Sequence, residues 1–208
     1  MSVLGWWRRR SSDNAARRWV VVDTETSGMD AAVDELISIG AVAMLDGRVI
    51  PADSIEVIVR KTSASSRDNI LVHGIGVQTQ LEGTDPHDAM REFMDFLGPA
   101  PLIAFHAPFD RKFLARAVKR YARQRAFDNP WLDLAELAPA VDPEKSKLKS
   151  LDEWLQHYGI SVGNRHNAAA DAYATALLAA RLLAEARRQG AGDYSAMRRL
   201  ASQARWLH

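Results

Sequence analysis

Trp19-Val20-Val21-Val22 is a continuous apolar run rich in β-branched side chains, and it leads straight into Asp23-Thr24-Glu25. A short run of this kind reads as a buried strand. Two further strand candidates follow on short connections. Leu36 to Met44 is the second, and Asp46-Gly47 after it is a favoured hairpin-turn pair. Ile55 to Val59 is the third, with partial alternation of apolar and polar residues. Three strands joined this closely predict an antiparallel meander.

The second half of the chain changes period. Met90, Phe93, Met94 and Leu97 have helical spacing, and Gly98-Pro99 stops that segment. Leu102 to Phe105 reads as a buried strand and Phe109 to Arg125 as a helix. Trp131-Leu132 is a short strand, Leu134 to Leu137 starts another helical piece, and Leu151 to Tyr158 is a short helix ended by Gly159. Ala168 to Arg188 is alanine-rich and strongly helix-forming. Tyr194 to Trp206 is a candidate final helix after the Gly190 to Gly192 break. The expected class is therefore α/β: a mixed five-stranded sheet, three antiparallel strands then two parallel, flanked by helices. Ribonuclease H-like folds have this order. The expected organisation is a basic, aromatic arm over residues 1–17, one domain over 18–189, and a helical extension over 190–208.

Composition narrows the function classes. The chain has no cysteine, which removes disulfides, thiolate metal sites and a cysteine nucleophile. No apolar run approaches the roughly 20 residues of a membrane span. The first ten residues place two tryptophans before three arginines, the reverse of a signal peptide, so a cytoplasmic location is expected. A net charge of +1 is low for a protein that grips a long duplex by its phosphates. Arginines do crowd both ends, where they serve either as solvated faces or as contacts to a nucleic-acid backbone.

Carboxylates at i and i+2 of a strand share a face, about 7 Å apart along the chain. Asp23 and Glu25 therefore lean the same way, directly after four apolar residues. Acids in that setting need compensation, which a hard divalent cation supplies. Asp110 follows the Leu102 to Phe105 strand at the opening of a helix. Carboxyl ends of neighbouring parallel strands share one sheet edge, so Asp110 and the first acidic pair converge. Asn167 is a candidate helix N-cap. It leaves His166 in the preceding loop, which includes Gly163-Asn164-Arg165 and is expected to be flexible, and puts Asp171 near the first turn. Each residue singly has an ordinary explanation: a water-facing turn acid, a helix-dipole acid, an exposed loop histidine. The functional reading rests on the whole set.

Three ordered segments carry a resemblance. They are Val20-Val21-Val22-Asp23-Thr24-Glu25-Thr26-Ser27-Gly28, Ile103-Ala104-Phe105-His106-Ala107-Pro108-Phe109-Asp110, and His166-Asn167-Ala168-Ala169-Ala170-Asp171. With Ser150 to Leu155 and Tyr158-Gly159-Ile160, they resemble the DEDD (DnaQ-like) 3′→5′ exonuclease superfamily, histidine subclass, which includes the epsilon subunit of bacterial DNA polymerase III. The resemblance spans roughly residues 19 to 185. One departure stands out: Phe105-His106 occupies the place of a common His-Asn pair. His106 is then either a local hydrogen-bonding substitute or a second functional histidine.

The resemblance implies two Mg²⁺ or Mn²⁺ ions, with Asp23 bridging both, Glu25 and Asp171 completing the first site, and Asp110 supporting the second. Such a pair stabilises the attacking and leaving oxygens of an in-line displacement. His166 would be the general base, since an imidazole with a pKa near 6.5 can take a proton near neutral pH. Thr26, His73, Ile75 and His106 are the implied substrate neighbours, with core packing as the alternative for Ile75, and Asp133 is a position where the family often has Asp. The implied partner is a single-stranded DNA 3′ end, with a DNA polymerase subunit as a candidate second partner. RNA trimming is an alternative, and a non-catalytic nucleic-acid scaffold on the same fold is a third.

Overall fold

The computed structural model describes residues 17–122, 126–163 and 166–204. Most of the expected arm (residues 1–16), the end of the Phe109 to Arg125 helix, Asn164-Arg165 of the expected flexible loop and the last residues of the final helix lie outside the described residues. The five strands are β1 (Arg18–Thr26), β2 (Leu36–Leu45), β3 (Arg48–Ile58), β4 (Leu102–Ala104) and β5 (Trp131–Asp133). They form one sheet in the order β3-β2-β1-β4-β5. β1 pairs antiparallel with β2 and parallel with β4; β2–β3 is antiparallel and β4–β5 parallel. The expected mixed sheet is therefore present.

Asp46 and Gly47 make the β2–β3 turn with φ of 54° and 80°, left-handed at both central positions as a tight hairpin requires. Two strands are longer than their apolar patterns predict. β1 continues through Thr26, so Asp23 and Glu25 lie within the strand instead of closing it. β3 starts at Arg48, because Arg48, Val49, Ile50 and Ser54, a segment with no regular alternation, are held by ladder pairing to β2 across a bulge.

The helices are α1 (Arg67–His73), α2 (Val77–Leu81), α3 (Pro86–Leu97), α4 (Ala107–Tyr121), α5 (Leu134–Val141), α6 (Leu151–His157), α7 (Ala168–Arg188) and α8 (Tyr194–Ala204). Helices α1 and α2 have no counterpart in the sequence pattern. The start of α7 is fixed by Asn167, whose Oδ1 accepts the Ala170 N–H at 2.8 Å.

Alternation along β1 separates the two sides of the sheet. Val20 and Val22 pack with Met90, Phe93 and Leu97 of α3 and Phe113 and Leu114 of α4. Val21 packs on the other side with Leu178, Ala179 and Leu182 of α7, Leu134 and Leu137 of α5, and Trp154 of α6. By the same parity Asp23 and Glu25 point to the α7 side and Thr24 to the α3–α4 side. Helix α8 closes the α7 side through Met197 and Ala201. Among the described residues no helix is long and apolar enough to cross a membrane.

Candidate active site

Carboxylate oxygens of Asp23, Glu25 and Asp171 lie within 4.8 Å of one another. Two sheet strands and one helix produce this. β1 presents Asp23 and Glu25, and α7 lowers Asp171 onto them from its first turn. The approach depends on Gly40 of β2, the ladder partner of Asp23. A Cβ at Gly40 would overlap the Ala168 carbonyl group and the Ala169 nitrogen at the start of α7. Only glycine lets the helix come this close to the sheet.

The electrostatics follow from burial. Glu25 is pushed up to about 7, first by loss of water and then by the Asp171 carboxylate. Like charges so placed are stable when one carries a proton or when a cation sits among them. An all-oxygen cluster of this size fits a hard divalent cation. The positive end of the α7 dipole adds some relief.

Asp110 stands apart from that trio. It is 4% exposed, in the first turn of α4, and accepts a hydrogen bond from the Thr24 hydroxyl at 2.8 Å. Burial raises its carboxyl well above the usual carboxylate range, against that hydrogen bond. The sequence pattern did not single out Thr24. Its place in Asp-Thr-Glu was a usable signal, since strand parity turns it to the opposite face from its neighbours.

His166 is exposed with a left-handed φ of 76°, and its backbone N–H donates to Asp171 Oδ1 at 3.3 Å. That contact places the histidine beside the carboxylates. His106 is also left-handed, with φ 63°, and precedes the first residue of α4. Histidine and asparagine are both among the residues that tolerate this backbone, a physical reason for one to replace the other. The His106 N–H donates to Asp133 Oδ1 at 2.9 Å, and the same oxygen accepts the Ala135 N–H at 2.9 Å. Asp133 thus caps α5 and also holds the turn from which α4 and Asp110 depart. The His106 ring lies edge-on to Phe105.

A hydrogen-bonded relay ties the His73-Gly74-Ile75 turn to the end of β1. The Ile75 N–H donates to His73 Nδ1 at 2.9 Å, so Nε2 carries the proton and donates to Asn69 Oδ1 at 2.9 Å. Asn69 Nδ2 then donates to the Thr26 carbonyl at 2.9 Å. His73 is 1% exposed and Ile75 is 7% exposed. Burial lowers the His73 pKa, which favours the neutral ring the relay needs. The Thr26 hydroxyl donates to the Gly28 carbonyl at 2.7 Å.

A mixed sheet of this order, with two carboxylates on its central strand β1 and a third from α7 beside them, has the ribonuclease H-like fold. The RNase_T exonuclease family model matches residues 20–179, and the chain belongs to that family. The DNA polymerase III PolC-type protein of Bacillus subtilis (strain 168) is 31% identical over 183 residues, covering 85% of this chain and 12% of that protein. A DNA polymerase III subunit epsilon-like protein of Rhodobacter capsulatus is 32% identical over 182 residues, covering 86% of this chain and 25% of its own. The chain therefore spans about an eighth to a quarter of these relatives' length. Among solved structures, E. coli exonuclease I in complex with a dT13 oligonucleotide superposes with a TM-score of 0.69 at 20% identity, covering 84% of this chain and 42% of that one. Exonuclease X in complex with 5′ overhanging duplex DNA gives 0.69 at 19% identity, covering 88% and 99%. At these identities the structures establish the shared fold.

Proposed function

We propose that the chain is a divalent-cation-dependent 3′→5′ exonuclease that releases nucleoside 5′-monophosphates from the 3′ end of single-stranded DNA. Its catalytic residues are Asp23, Glu25, Asp110, His166 and Asp171. The observation that carries this reading is the cluster of Asp23, Glu25 and Asp171, three carboxylates within 4.8 Å with one held near neutrality.

Asp23, Glu25 and Asp171 would hold one of two Mg²⁺ or Mn²⁺ ions, and Asp23 with Asp110 would hold the other. A cation pair supplies charge stabilisation for the entering and departing oxygens of an in-line displacement at phosphorus. His166 accepts the proton of the attacking water; its exposure and its backbone tie to Asp171 leave the ring at the solvent side of the cluster. Thr24 orients the Asp110 carboxylate directly, and Asp133 fixes the turn at His106 from which its helix departs. Thr26, His73 and Ile75 seat the terminal nucleotide through the shape of their linked turn, since the polar atoms of Thr26 and His73 already bond within the protein. His106, just before the first residue of α4, is a further proposed substrate neighbour. Exposed Met29, Val33, Leu71 and Val72 on neighbouring segments suit the apolar faces of bases.

DNA is favoured over RNA because exonuclease I and exonuclease X are both seen on DNA. The polymerase III relatives make a replicative polymerase, working in the cytoplasm, the proposed partner. The test is digestion of 3′-ended single-stranded DNA and RNA with Mg²⁺, Mn²⁺ or EDTA. Loss of 3′ nucleotides from DNA with either metal and none with EDTA is expected, and Asp23→Ala should abolish it. A preparation that shortens neither polymer with any metal refutes the proposal.

A further inference from the structure

Ser38 is fully buried in β2, and its hydroxyl has no hydrogen-bond partner among the described residues. A buried hydroxyl without a partner destabilises the fold. The strand around it is apolar, with Leu36, Ile37, Ile39, Ala41 and Val42 all buried, so alanine would sit there without that cost.

Register shows what the hydroxyl is next to. Ser38 is the ladder partner of Glu25, as Gly40 is of Asp23. Strand parity puts Ser38 and Gly40 on the α7 side of the sheet, the side to which the two carboxylates point. Directly opposed residues on one face have Cβ atoms about 4.5–5.5 Å apart, a gap that a serine Oγ and a glutamate carboxyl span by side-chain rotation. On the other flank Ser38 meets Ile58 of β3, which offers no polar atom. Glu25 is therefore the polar side chain that the ladder sets against it.

We infer that Ser38 is a positioning residue for Glu25, its hydroxyl donating to the glutamate carboxylate when that carboxylate holds a cation. A glutamate that gave one carboxylate oxygen to a cation would leave the other to be oriented. A hydroxyl donor fixes its direction, as hydrogen-bond partners of metal-bound carboxylates commonly do. This inference rests on the reading of Asp23, Glu25 and Asp171 as cation ligands. It also explains why a hydroxyl is retained at a site where it weakens the cation-free fold.

The test uses the full chain and Ser38→Ala, with Mn²⁺ as the probe. Mn²⁺ affinity is measured by titration calorimetry, and thermal midpoints are measured without metal and at saturating Mn²⁺. In Ser38→Ala the metal-free midpoint should equal or exceed that of the wild type. Its Mn²⁺ affinity should fall about tenfold, and the rise in midpoint on adding Mn²⁺ should shrink. Affinity within twofold of wild type overturns the inference, as does a lowered metal-free midpoint with an unchanged Mn²⁺ increment. Wild-type protein that binds no Mn²⁺ refutes the cation-site reading itself and the Ser38 role with it.

Discussion

Gly40→Ala tests whether the carboxylate cluster is set by the close approach of α7 to β2. The added Cβ would overlap the Ala168 carbonyl group and the Ala169 nitrogen. Two non-bonded carbons need about 3.5–4 Å, so the start of α7 and the strand must together yield by roughly 1.5 Å. Asp171 is three residues past Ala168 and moves with it, while Asp23, opposite Gly40, stays with the sheet. Cation–oxygen distances tolerate only about 0.2 Å. A displacement near 1 Å should lower the hydrolysis rate on the order of 100-fold. Overpacking costs about 1–3 kcal/mol, offset by the roughly 0.5–1 kcal/mol that alanine gains over glycine in a strand. The net loss should lower the thermal midpoint by a few degrees. The assay pairs a thermal melt with Mg²⁺-dependent digestion of a labelled oligonucleotide. Gly192→Ala is the control, because nothing lies within 4 Å of its added Cβ. A Gly40→Ala protein that digests DNA at the wild-type rate would show that helix approach does not set the cluster.

Three further outcomes are expected. Glu25 titrates near 7 in the folded, metal-free protein against 4.5 when free, so folding takes up a proton between these values. Its contribution, about 3 kcal/mol, is present at acid pH and lost as pH rises through 7. The metal-free thermal midpoint should fall between pH 5 and pH 8, and Glu25→Gln should flatten that fall; an equal slope in the variant would point to another group. Thr24→Val removes the hydroxyl that Asp110 accepts from and should cost about 1–3 kcal/mol. An unchanged denaturant midpoint would show that the bond contributes nothing. His166→Ala should slow hydrolysis on the order of 10²–10⁴-fold while leaving Mn²⁺ affinity near wild type; a rate within twofold of wild type would remove its assigned role.

The sheet order was readable because its central strands are apolar runs and its hairpin turn is an Asp-Gly pair. Helix α7 was readable from end to end, since alanine content and the Asn167 cap agree. The β3 segment from Arg48 to Ser54 was hidden, because its extended form comes from pairing with β2 and not from its own pattern. Helices α1 and α2 were hidden because each has fewer than two turns and exposes apolar residues such as Leu71, Val72 and Val77. At the site, the family resemblance, and not spacing alone, grouped Asp23, Glu25 and Asp171. The Thr24 bond to Asp110 and the place of Ser38 beside Glu25 depend on facing and register. Register emerges only when two distant segments pair.

The alternation of β1 also limits how this chain can change. Val20, Val22 and Thr24 serve one side of the sheet while Val21, Asp23 and Glu25 serve the other. A one-residue slip of the whole of β1 against its neighbours would exchange the two sets. Two carboxylates would then face Phe93 and Leu97, and valines would lie under the Asp171 carboxylate. The hydrophobic core and the acidic cluster are thus written in one reading frame along nine residues. Point substitutions can adjust either, but a one-residue slip of register should remove both together.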